Sequence, residues 1–237
     1  MSGCGAPCRR PTTFPTRTYR ECGVWASGAK SHRPRPRNAR SSRFDAQPHH
    51  GRRLLPPTPA RRERASLVTL STLTTEDSDI LREQLGRPLR GVRAVAHRCG
   101  SGHPTVVETE PRLPDGTPFP TLFYLTCPRA VAAASTLESV SVMTEMAGLL
   151  AADAELAEAY RAAHDDYLAR REHIGHVEEI AGVSGGGMPS RVKCLHVLAA
   201  HSLAVGPGVN PLGDLTLERM ATLDKPWTAE TCTWRPA

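Results

Sequence analysis

The side chains able to do chemistry are concentrated in three short, separated segments: Arg98-Cys99-Gly100-Ser101-Gly102-His103, Thr126-Cys127-Pro128, and Lys193-Cys194-Leu195-His196 with His201 downstream. Thiolate and imidazole are the ligands that zinc prefers in a tetrahedral site. Cys99 and His103 have the spacing of a ligand pair on a loop that Gly100 and Gly102 make pliable. Cys127 closes a predicted strand and Cys194 lies on a separate predicted element, so Cys99, His103, Cys127 and Cys194 form a candidate metal quartet with zinc as the implied cofactor. Helical phase restrains the histidines. At about 100° per residue, Cys194 and His196 lie about 200° apart and can share an ion only if the helix begins after Cys194. Cys194 and His201 share a face but are separated by about 10.5 Å of rise. The competing reading is plain: a free cysteine is often a small buried apolar residue.

The same segment supports a second chemistry. Gly185, Gly186 and Gly187 precede Met188-Pro189, and Arg191 and Lys193 bring positive charge to the start of the predicted helix. Exposed N–H groups at a helix start attract phosphate or carboxylate, which makes Gly186, Gly187, Arg191 and Lys193 a candidate anion site. Cys194 is then a candidate nucleophile with His196 as its base. The spacing lacks the Gly-Lys-Ser/Thr of a Walker loop. Metal binding and anion binding are thus rival uses of one helix start.

The elements that must position these groups follow from local pattern. Thr74 to Asp77 offers a cap and early acids, Ile80, Leu81 and Leu85 an apolar face, and Gly86 with Pro88 a stop, predicting a short helix. Residues 91–98, 104–109 and 120–127, separated by Gly, Pro and Asp turns, predict a three-stranded antiparallel meander. The Pro114-Asp115-Gly116 turn links the last two of them. Leu137, Val140, Met143, Ala147 and Leu150 recur at helical steps, as do Leu156, Tyr160, Ala163 and Tyr167 behind the N-cap candidate Asp153. A further helix is predicted from about Pro189 to Val205, and Asn210-Pro211 opens a last one. The class is α+β, a small antiparallel three-stranded sheet packed against several helices.

Charge divides the chain. Residues 1–66 hold 15 Lys+Arg against three acids, net +12, which leaves 15 against 21, net −6, for residues 67–237. The first part, rich in Arg and Pro with no apolar periodicity, is expected to be disordered. It reads as a mis-set start, since no methionine lies between Met1 and Met143 and the ordered pattern begins near Val68, or else as a basic arm for phosphate backbones. The acidic remainder suits one domain and disfavours nucleic-acid binding outside that arm. Arg9-Arg10 lacks the apolar run of an export signal, and no stretch approaches the roughly 20 apolar residues of a membrane span. The expected setting is the cytoplasm, with reduced thiols.

Over residues 75–215 the chain resembles an uncharacterised bacterial family, domain of unknown function 501. The resemblance is carried by Gln84-Leu85-Gly86-Arg87-Pro88, Arg98-Cys99 with Gly102 and Pro104, Pro111-Arg112-Leu113, Asp115 to Thr121, Leu125 to Pro128, Val192 to His196, Ala200-His201 and Asn210-Pro211. It implies neither an activity nor catalytic residues. Members are often encoded near cell-division and polyphosphate-handling genes, which implies a cellular setting. The reading is therefore a protein that binds an anion or small ligand at the glycine-rich start of the Cys194 helix. Its alternative is a zinc-binding structural or interaction domain, for which the acidic face of Glu155, Glu158, Asp165 and Asp166 and the apolar run Leu122 to Leu125 offer surfaces.

Overall fold

The computed structural model describes residues 69–236. The expectations for residues 1–66 lie outside them. The elements run β1 (Ser71–Thr72), α1 (Thr75–Leu85), β2 (Val92–Arg98), β3 (Pro104–Thr109), β4 (Phe123–Leu125), α2 (Pro128–Ser139), α3 (Val142–Ala152), α4 (Ala154–Ile174), a 3-10 turn (Glu178–Ile180), α5 (Leu195–Val205) and α6 (Pro211–Ala221). The class is α+β with an antiparallel meander, as expected, but the sheet has four strands rather than three. The added strand, β1, pairs Ser71 with Val95 and Thr72 with Ala94. Two residues are too few to show an alternation.

Strand β3 is buried along its whole length, because helices cover the sheet and both neighbours are paired. Register shifts between β2 and β3 turn Ala94, Val95 and Ala96 inward in succession, so β2 departs from the strict alternation its sequence suggests. Helix α1 starts with a capping box, Thr74 and Asp77 each accepting from the other's backbone N–H, and ends at Gly86 in the left-handed region (φ 64°). Arg98 at the end of β2 ties this helix down, donating to Asp77 at 2.6 and 2.8 Å.

The single stripe read from Leu137 to Leu150 is broken into α2 and α3 at Val140–Ser141, where Ser141 takes φ 67°. Helix α5 is the centre of the helical layer. It is apolar on all sides, and eight of its 11 residues are buried. It packs on β4, α2 and α6. The approach of α6 is close enough that a Cβ on Gly213 would stand 2.3 Å from both the Leu198 carbonyl and Ser202 Oγ. On α4, Tyr167 accepts from the Leu122 N–H at 2.6 Å, and the buried Arg171 donates to the carbonyls of Pro120, Val183 and Ile180. Arg171 thereby fastens the irregular segment that leads toward the glycines.

Candidate functional site

The chain reaches α5 through Gly185 to Gly187, and this turn decides where the thiol stands. The Gly186 carbonyl accepts from Lys193 N at 2.7 Å and from Cys194 N at 3.3 Å, and the Gly187 carbonyl accepts from Arg191 N. Gly187 sits at φ 96°, and a Cβ there would meet the Arg191 carbonyl at 2.7 Å. The helix starts at Leu195, with Cys194 as its extended N-cap, and not near Pro189. That start after Cys194 is the condition under which Cys194 and His196 can face the same point, and they do.

His196 Nδ1 lies 3.7 Å from Cys194 Sγ and 3.0 Å from Glu138 Oε1, and its Nε2 lies 3.2 Å from Ser135 Oγ. Glu138 and Ser135 come from the last turns of α2. Leu195 N donates to Glu138 Oε1 at 2.7 Å, so the carboxylate occupies the positive end of α5 that the sequence offers to an external anion. The hydrogen bond to the Cys194 sulfur, followed by the Glu138 charge, holds His196 up at about 9 although partial burial works the other way. Cys194 and His196 also line an open cleft of about 570 Å³ whose other walls are largely apolar, with Leu85, Tyr124, Leu125, Val131 and Val197 among them.

The other sequence-derived candidates fall elsewhere. Among the described residues, Glu138, Cys194 and His196 form the group of three whose ligand atoms all lie within 4.8 Å of one another; Cys99, His103 and Cys127 are not part of it. Cys99 is buried, and its N–H bonds the His103 carbonyl across the β2–β3 turn. The His103 ring packs edge-on against Trp234 at 5.4 Å. Cys127, the N-cap of α2, lies 3.6 Å from Cys232 Sγ, and burial first, with Cys232 adding to it, pushes its thiol up to about 11. A buried thiol held protonated is a poor nucleophile and a poor ligand. Arg191 and Lys193 are exposed beside the glycine turn. His201 is fully buried, its Nε2 3.1 Å from Asp166 Oδ2 and its Nδ1 3.2 Å from Asn210 Nδ2, and it stacks on Phe123; burial lowers its pKa, and its role is in the core.

A family model described as a protein of unknown function, DUF501, matches residues 95–218, 124 of the chain's 237 residues. The chain belongs to the DUF501 family. No curated protein and no solved structure matches the chain. The DUF501 match contains β3, β4 and α2 to α5, with Glu138, Cys194 and His196 among its residues. All of β1 and α1, which precede residue 95, and the segment after α6 that carries Cys232 and Trp234 lie outside it. No helix among the described residues of this DUF501 protein is long and apolar enough to cross a membrane.

Glu138 is the member of this cluster that sequence reasoning missed. Its one signal is faint: apart from Arg129, it is the sole charged residue of α2, near the helix's C-terminal end, where an acid opposes the helix dipole.

Proposed function

We propose that this DUF501 protein binds a small ligand with an apolar body and an anionic head group in the cleft at the start of α5, the head group meeting Cys194 and His196. One observation carries the reading: an apolar-walled cleft of about 570 Å³ ends on two chemically active side chains, Cys194 and His196. A cleft of this size and lining, with few convergent polar groups, is the usual form of a small-molecule site. The glycine turn serves it by placing Cys194 outside the helix. The exposed cations Arg191 and Lys193 add to the local positive field.

The test is a series of linear carboxylates of increasing length, scored by melting temperature. Binding to the folded state alone raises stability as RT ln(1 + [L]/Kd), and each buried methylene adds about 0.8 kcal/mol. The shift is expected to grow with chain length, to vanish in Ala132→Trp, which fills the cleft, and to weaken in His196→Gln. A flat series, or shifts that survive Ala132→Trp, overturns the reading.

A further inference from the structure

We infer that Glu138, Cys194 and His196 form a three-ligand site for a divalent cation of the zinc class, with its remaining coordination position adjoining the cleft. The inference rests on the ligand-binding reading above and deepens it by naming what would meet the head group.

The argument is one of convergence. A hydrogen-bonded nucleophile, base and acid divide the two imidazole nitrogens, one toward the nucleophile and one toward the acid. Here sulfur and carboxylate both approach the same nitrogen, Nδ1, at 3.7 and 3.0 Å, while Nε2 is given to Ser135. One N–H cannot serve two acceptors well, but one lone pair can join two others around an ion. With ordinary zinc bond lengths and tetrahedral angles, ligand atoms stand about 3.3 to 3.7 Å apart; the sulfur at 3.7 Å meets this, and the carboxylate oxygen at 3.0 Å has to draw back by a few tenths of an ångström. The third pair, Cys194 Sγ and Glu138, is within 4.8 Å.

The donor types agree. Thiolate, imidazole and carboxylate are the three ligand classes of zinc, and three protein ligands with one open position is the catalytic rather than the structural pattern. Each oriented ligand has an outer partner, as metal sites require: Ser135 Oγ at His196 Nε2, and the Leu195 N–H at Glu138 Oε1. Loading displaces the thiol proton and any Nδ1 proton to solvent, so both leave as the metal bonds form. A carboxylate or phosphate head group entering the cleft would take the open position.

Full-length protein, stripped with a chelator, is titrated with Zn²⁺ in competition with a chromophoric chelator and separately with Co²⁺. One ion per chain and a thiolate-to-cobalt charge-transfer band are expected, both lost in Cys194→Ser. Affinity should fall at least about tenfold in Glu138→Gln, which keeps an oxygen for Leu195 N–H, and about tenfold in Ser135→Ala. Far-ultraviolet circular dichroism establishes that each variant is folded. A joint Cys99→Ser, Cys127→Ser variant and a joint Cys4→Ser, Cys8→Ser, Cys22→Ser variant should bind as the parent does. Absence of the charge-transfer band, or a band that survives Cys194→Ser, overturns the site, as does one lost with the tail cysteines. Running the carboxylate series on both stripped and zinc-loaded protein separates the two readings: melting shifts in a protein that binds no ion overturn the ion and leave the cleft, whereas one bound ion with a series that is flat on both forms does the reverse.

Discussion

Asp77 shows how a single side chain can hold two elements together. It is almost fully buried, it receives two charge-assisted bonds from Arg98, and it completes the α1 capping box. Arg98 first, and then Thr74, hold its carboxyl down at about 2. A carboxylate whose folded pKa is depressed contributes stability that is whole above its unfolded value, near 3.8, and is lost as pH falls through about 2. Asp77→Asn is therefore expected to cost about 2 kcal/mol at neutral pH, and the gap to the parent should close below pH 3.8. Urea denaturation across acid pH measures it, and a gap independent of pH would remove the charge from the account. The residue scale is also where reading the sequence stopped short. Cys194 and His196 were legible because their types are rare and their spacing is short; Glu138 was not, because the 55 residues between it and Cys194 carry no trace of the fold that joins them.

At the scale of elements, local signals were reliable where they act locally. The Thr74 cap, the Gly86 stop, the Asp153 cap and the Asn210-Pro211 start all stand where composition placed them. The misplaced boundaries have tertiary causes. Pro189 offers the chemistry of a first helical turn, yet the chain stays irregular to Cys194 because the Gly186 and Gly187 carbonyls take the amides of Arg191, Lys193 and Cys194. The stripe from Leu137 to Leu150 keeps its period across the Ser141 break, so periodicity alone cannot reveal two helices. Helix contact also sets a limit that no local pattern states. Gly213→Ala drives a methyl carbon into the α5 backbone, and a loss of about 3 kcal/mol is expected, against about 1 kcal/mol for the exposed cap change Thr74→Ala. Chemical denaturation of the two variants ranks them; an innocuous Gly213→Ala would mean that α5 and α6 can part without penalty.

At the largest scale, the domain formed by the described residues is closed by a segment without regular structure. After α6, Trp227 is buried, and its backbone N–H donates to the Met220 carbonyl. Gly100 N donates to the Ala229 carbonyl and Ser101 Oγ to that of Cys232. A Cβ on Gly100 would stand 2.5 Å from the Glu230 carbonyl, so the turn after β2 is shaped to receive this segment. Although it lies beyond the matched region of the family model, its Trp227 and Cys232 belong to the core. Ending the chain at Leu223 should cost at least about 3 kcal/mol, the scale of one buried tryptophan. For a domain of this size the melting temperature should fall by about 6 to 12 °C. Differential scanning calorimetry decides it, and an unchanged melting temperature would make the segment an ornament.

Arg171 has one more consequence. Its guanidinium keeps its charge over the whole range in which such a protein stays folded, and its three partners are main-chain carbonyls, which do not titrate at all. The rope that runs from α4 to the glycine turn is thus tied by a knot that acidity cannot loosen. His196 can gain or lose its proton while this tie between α4 and the segment that leads to the cleft stays fastened.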